Sequence, residues 1–278
     1  MNIVPKEMPS DSAVKISSKK RGQENIKRIE SEIAEFRNDV KNKFESDDAG
    51  KIFDALEFML ELHCEQEDRI DGNPFIIHPL EVASDLVNKY EITEVDLIIG
   101  ALLHDSVEDQ SLKIVEKTSN AEMMKLSGEE LQNSALDVIA NKYGKRVKEL
   151  IKGLTNPNFN KIIEELEIRG IKKEKRDLYK AHVKEAIESQ DVFVVKLSDF
   201  LRNAGNLPEI EPKKTHFIKK YGPVIKDVFI PAFEEMSESH PFLKKRGDIL
   251  SELNDIYDIK YKSELDEINS TREEKEQY

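Results

Sequence analysis

VDLIIGALLHDSVED, residues 95–109, sets how this chain is read. Its first nine residues, Val95 to Leu103, are apolar on nearly every side, the composition of a helix buried at the centre of a bundle rather than one lying on its surface. A histidine and an aspartate follow at once. His104 and Asp105 put an imidazole beside a carboxylate at the end of an apolar helix, where a buried and unpaired charge is costly. Two readings fit: the pair caps a helix end, or it shares a divalent cation with ligands from elsewhere. Imidazole nitrogen with carboxylate oxygen suits Mn²⁺, Fe²⁺, Zn²⁺ or Ni²⁺ better than Ca²⁺.

Working outward, the period of three to four residues recurs along the chain. Ile26, Ile29, Ile33, Phe36, Val40 and Phe44 make one amphipathic helix over about 23–46, and Ile52, Leu56, Met59 and Leu60 make a second. Asp71, Gly72 and Pro74 mark a loop, and a helix is expected from about Pro79. Residues 111–133 read as a polar insertion with a short helix. Leu136, Ile139, Tyr143, Val147, Leu150, Ile151 and Leu154 continue a helical stripe broken at Gly144. Further helices are expected over about 160–188, 213–238 and 241–265. VFVVKLSDF, 192–200, has the β-branched composition of a strand, but a chain of helices offers it no partner. The expected architecture is all-α, a helical bundle with extra helices at both ends. In domain terms this gives a loose tail over 1–22, a main domain over 23–240, and a C-terminal helix with a charged tail over 241–278.

Composition agrees with that class. Charged residues make up 36% of the 278, hydrophobic residues 38%, and Gly and Pro are sparse at 11 and 10, as in a helix-rich globular chain with one sizeable core. A net charge of −13 opposes binding to a nucleic-acid backbone, though not to a small nucleotide in a locally positive or metal-bearing pocket. The single cysteine, Cys64, excludes an intramolecular disulfide and a cysteine-based zinc site. The first residues lack the apolar core of a signal peptide, and no apolar run approaches the roughly 18 residues needed to span a bilayer. A cytoplasmic address is therefore expected, with no membrane partner, and assembly into a homo-oligomer is left open.

Two more segments bear on the His-Asp pair. His78 sits in PFIIHPLEVA at a helix start, where a structural role is the plainer reading, and Asp199 ends the apolar run VVKLSDF, where an ion pair with Lys196 or Arg202 is the alternative. Each is weak alone. Taken in order, G-x-P-F-I-I-H-P, A-L-L-H-D-x-x-E-D and V-K-L-x-D-x-x-x-N resemble the HD-type hydrolase domain of the RelA/SpoT family and its small alarmone hydrolases, over roughly residues 50–235.

The resemblance implies an HD-domain fold with VVKLSDF helical, and one Mn²⁺ held by His78, His104, Asp105 and Asp199. It implies catalytic roles for Glu108, Asp109 and Asn203, and the removal of the 3′-pyrophosphate from (p)ppGpp. Glu108 lies four residues after His104, on the same helical face if the turn continues, where it would move a proton to or from the reacting oxygens; a solvated surface carboxylate is the alternative. Arg69, Lys196 and Tyr221 match substrate-lining positions, although surface roles fit Arg69 and Lys196 as well. His63 and Gln66 match an H-x-x-Q expected to pack and position the loop.

The chain also departs from the pattern. The basic cluster before the G-x-P loop is reduced to Arg69 among Glu67, Asp68 and Asp71, and Phe75 stands where the family has Tyr. The segment after HDSVED is longer than usual, and no synthetase domain is expected to follow. Other substrates consistent with the same site are (p)ppApp and NADPH. A regulatory nucleotide-binding module is the alternative from outside enzymology.

Overall fold

A computed structural model describes residues 23–69, 72–118, 120–208, 211–236, 240 and 242–268; the tail expected over 1–22 and the residues after 268 lie outside them. The described chain is all-α, as expected. Helices α1 (Gln23–Lys43) and α2 (Ser46–His63) bury the predicted stripes: Ile29, Phe36 and Val40 on the first, Ile52, Leu56, Met59 and Leu60 on the second. Helix α3 (Ile77–Asn88) begins two residues before Pro79, whose missing N–H falls in the first turn where no partner is needed.

Helix α4 (Val95–Leu103) is central. Every residue from Leu97 to Leu103 is buried, and the helix packs on α2, α3 and α7. Gly100 allows that closeness, because a Cβ there would collide with the Leu150 side chain of α7. Helix α5 (Ser106–Glu116) follows after His104 and Asp105 with backbone angles still in the helical region. The polar insertion is therefore narrower than the sequence suggested: Ile114 and Val115 are buried on α5, and only 117–127, with one 3₁₀ turn at Met123–Lys125, separates it from α6 (Gly128–Tyr143). Gly144, at φ +95°, makes the expected break before α7 (Lys145–Leu154).

The helix expected over 160–188 is two. Asn158 caps α8 (Phe159–Ile168) by accepting from the Lys161 N–H. Gly170 then takes φ +73°, a left-handed stop, before α9 (Lys175–Ala186). Helix α10 (Gln190–Gly205) contains VFVVKLSDF, so the strand-like composition misleads. All ten residues from Val192 to Leu201 are buried. Burying one large apolar side chain yields about 1.5–3 kcal/mol, whereas the helix penalty of a β-branched residue is under about 0.7 kcal/mol, so packing outweighs propensity.

After α11 (Lys213–Val224) the helix widens into a π-turn at Ile225–Phe229, just ahead of Pro231, which has no N–H to offer, and resumes as α12 (Ile230–Glu234). Helix α13 (Arg246–Ile256) and a second π-turn at Tyr257–Tyr261 lead into helical residues 262–268. This last stretch lies against α11 and the end of α10. The Tyr261 hydroxyl donates to the Ala204 carbonyl at 2.6 Å, and a Cβ on Gly222 would stand 2.5 Å from Leu265. No described helix is long and apolar enough to cross a membrane.

Candidate metal centre and its rim

Four helices bring the predicted ligands together. His78 is the second residue of α3, His104 and Asp105 join α4 to α5, and Asp199 lies within α10. Two contacts fix α10 on α3: the Arg202 guanidinium donates to both oxygens of Asp85 at 2.6 and 2.5 Å, and the Ser198 hydroxyl donates to the Val82 carbonyl at 3.2 Å. His78 and Asp199 therefore face each other, with His78 Nε2 3.1 Å from Asp199 Oδ1.

The remaining separations run from 3.1 to 3.8 Å. His104 Nε2 is 3.1 Å from Asp105 Oδ2 and 3.7 Å from Asp199 Oδ1, and His78 Nε2 is 3.8 Å from Asp105 Oδ2. Ligand atoms of His78, His104 and Asp199 all fall within 4.8 Å of one another. An ion with bonds of about 2.2 Å to ligands at right angles would hold neighbouring donors about 3.1 Å apart. The four side chains are set for such an ion with slight closure.

A stronger sign is a buried atom without a partner. His104 donates from Nδ1 to the Ala101 carbonyl at 2.8 Å, which fixes the tautomer and leaves a lone pair on Nε2; Nε2 is buried and makes no hydrogen bond. Electrostatics agrees. Burial alone would lower the His104 pKa, yet the carboxylates of Asp105 and Asp199 raise it to about 9. Burial would raise both acids, but His104 holds Asp105 below the usual range, and Lys196, then His78, hold Asp199 well below it. The cluster favours an added positive charge, either a proton or a cation.

The rim carries two more acids in a different setting. Glu108 and Asp109 are exposed at their tips, on the first turn of α5. Glu108 Oε2 accepts from the Asn156 backbone N–H at 3.1 Å and from its side-chain amide at 3.0 Å. Asp109 Oδ2 accepts from Gln66 Nε2 at 2.8 Å. Desolvation by the surrounding protein, then the charge of Asp105, pushes both carboxyls up, Asp109 to about 6.

Gln66 in turn meets His63 Nδ1 at 2.5 Å, and His63 Nε2 meets Ser106 Oγ at 3.1 Å. The His63 ring stacks on Phe75 at 4.9 Å between centroids. His63 thus packs on Ser106 and Phe75, Gln66 joins it to Asp109, and Phe75 supplies an apolar face there.

Asn203 links rim to floor. Its Nδ2 donates to Asp199 Oδ1 at 2.7 Å, and its Oδ1 accepts from Arg69 Nη2 at 2.6 Å. Lys196 is no surface residue: it is buried, with Nζ 3.4 Å from Asp199 Oδ2. Tyr221 is buried as well, its ring 5.4 Å from that of Phe200. Sequence reading did not pick out Asn156 or Ser106 at this rim. Of these only Asn156 left a signal, in the T-N-P-N run after α7.

The fold defined by these helices is shared with solved structures. The chain is similar to a metazoan orthologue of SpoT, with a TM-score of 0.50 and 18% identity, over 77% of this chain and 96% of that one. In sequence it is similar to the guanosine-3′,5′-bis(diphosphate) 3′-pyrophosphohydrolase of Aquifex aeolicus, 31% identical over 62% of this chain and 20% of that protein. It is also similar to the Homo sapiens protein of the same description, 25% identical over 63% of this chain and 80% of that protein. The chain spans about a fifth of the length of the Aquifex relative. No family model matches the chain. These likenesses bear out the HD-type resemblance read from its three motifs.

Proposed function

We propose that the protein is a Mn²⁺-dependent hydrolase that removes the 3′-pyrophosphate of ppGpp or pppGpp, releasing GDP or GTP and pyrophosphate. The observation that carries this reading is the convergence of a buried His104 Nε2, which makes no hydrogen bond, with His78, Asp105 and Asp199. These four side chains would hold the ion, with His104 kept in the ligating tautomer by Ala101. A divalent cation bound there supplies a Lewis acid and acidifies a water molecule.

The chain's own groups carry the remaining roles. Glu108, held by Asn156 at the mouth of the cluster, takes a proton from the attacking water or hands one to the departing ribose 3′-oxygen as the P–O3′ bond breaks. Its raised pKa suits proton transfer near neutral pH better than an ordinary surface carboxyl would. Asp109, steadied by Gln66, adds a second raised carboxyl beside it. Asn203 positions Asp199 and Arg69 together, and Lys196 balances the Asp199 charge.

Two relatives described as (p)ppGpp pyrophosphohydrolases support the choice of substrate. The reading is tested by incubating the protein with ppGpp and Mn²⁺ and separating the products. GDP and pyrophosphate in equal amounts are expected, and intact ppGpp or free orthophosphate overturns it. Parallel incubation with ppApp and with NADPH assigns the base and phosphate preference.

A further inference from the structure

Asp109 stands at the end of a run of hydrogen bonds that starts in the core. His63, the last residue of α2, is fully buried, with Gln66 on one ring nitrogen and Ser106 on the other. Burial, the largest cause, brings its pKa down to about 4, so near pH 7 the ring is neutral and carries a single N–H. An amide oxygen can only accept. The proton therefore sits on Nδ1, 2.5 Å from Gln66 Oε1, and Nε2 accepts from the Ser106 hydroxyl at 3.1 Å.

Gln110 gives the same oxygen a second donor, its Nε2 lying 2.8 Å from Gln66 Oε1. Within α5 it is the residue that leaves helical backbone angles, at φ −130° and ψ 22°, directly after Asp109. With its oxygen held by two donors, the Gln66 amide turns its NH2 the other way, and Nε2 donates to Asp109 Oδ2 at 2.8 Å. A flipped amide would set NH2 against the Gln110 NH2 and an oxygen against the Asp109 carboxylate, so that donor meets donor and acceptor meets acceptor. The orientation of one amide is thus decided in the core and felt at the mouth of the site.

We propose that His63 and Gln110 are positioning residues for hydrolysis: by fixing the Gln66 amide they hold the Asp109 carboxylate in place beside Glu108, a role that rests on the hydrolase reading above. They act through Gln66 and not on the substrate. The H-x-x-Q pair therefore does more than pack, and Gln110, which lies outside that motif, completes it.

Two substitutions at one position separate hydrogen bonding from packing. His63→Phe keeps a ring to stack on Phe75 but has no N–H, whereas His63→Asn gives up the ring and retains an amide donor near the Nδ1 position. With ppGpp and Mn²⁺, His63→Phe lowers kcat by about tenfold with KM changed by less than about twofold, and His63→Asn recovers much of kcat. Gln66→Glu, which still accepts from His63 and Gln110 but offers Asp109 no donor, lowers kcat at least as far, and Gln110→Met lowers it a few-fold. All four variants keep the wild-type metal content. A His63→Phe protein as active as wild type, or a His63→Asn protein no better than His63→Phe, overturns the proposal. Where the substitutions of buried His63 do not fold, Gln66→Glu and Gln110→Met decide, and full kcat in either overturns it.

Nitrogen NMR of the wild type reads the same geometry without substrate. A neutral His63 in the Nδ1–H tautomer from about pH 6 to about pH 8 supports the assignment, and the Nε2–H tautomer or a ring that titrates in that range overturns it. If the wild type leaves ppGpp intact, the hydrolase reading fails, and the tautomer measurement still decides whether His63 orients Gln66.

Discussion

The floor of the site and its rim hold the same kind of group under opposite conditions. Asp105 and Asp199, packed among His78, His104 and Lys196, are pushed toward the ionised form. Glu108 and Asp109, on the next turn of helix, are pushed toward the neutral form. The difference lies in the neighbours. Imidazoles and an ammonium face the first pair, whereas the second pair faces amide donors and the charge of Asp105 itself. Carboxyls whose environments separate their pKa values can divide labour, and the proposed function gives ligation to the first pair and proton handling to the second.

Removing the floor should do the most damage. Asp199→Ala abolishes turnover and metal retention together, read by product assay and by metal analysis of the purified protein. It also leaves Lys196 buried opposite no carboxylate, which lowers unfolding stability by about 3–5 kcal/mol in chemical denaturation. Glu108→Ala breaks the rim alone: turnover falls about 10²–10⁴-fold while the metal content stays at the wild-type level. Loss of metal from Glu108→Ala, or full activity in it, would erase the contrast between the two pairs.

Acidification offers a finer probe. A carboxyl at about 6 is ionised above that pH and protonated below it, so kcat/KM declines as pH falls through about 6, and Asp109→Asn removes that limb along with much of the activity. The smallest effect is expected from Asn156→Ala. The side-chain donor to Glu108 disappears while the backbone donor remains, so the Glu108 pKa rises further. Activity at neutral pH falls only a few-fold, the loss of one of two hydrogen bonds, while the limb set by Asp109 stays near pH 6.

Much of this site was readable in the sequence because its floor comes from short motifs, in each of which an ionisable side chain interrupts or ends an apolar run. His104 and Asp105 end α4, and Asp199 stands inside the apolar face of α10. Such residues must find partners, and physical chemistry leaves few candidates. The conformation of VFVVKLSDF was not readable from propensity, since contacts made by α10 with α3, α4 and α7 decide it. The division of 160–188 was signalled by Arg169-Gly170 but hidden by an apolar period that continues across it.

The link from Arg69 through Asn203 to Asp199 joins a residue at the solvent edge to a buried ligand atom by two hydrogen bonds. On the proposed function, a nucleotide that recruits Arg69 alters how firmly Asn203 holds Asp199, and so changes the affinity for the ion. Thermodynamic reciprocity then requires the ion to change the affinity for the nucleotide by the same factor, so each of the two proposed ligands reports on the other's occupancy.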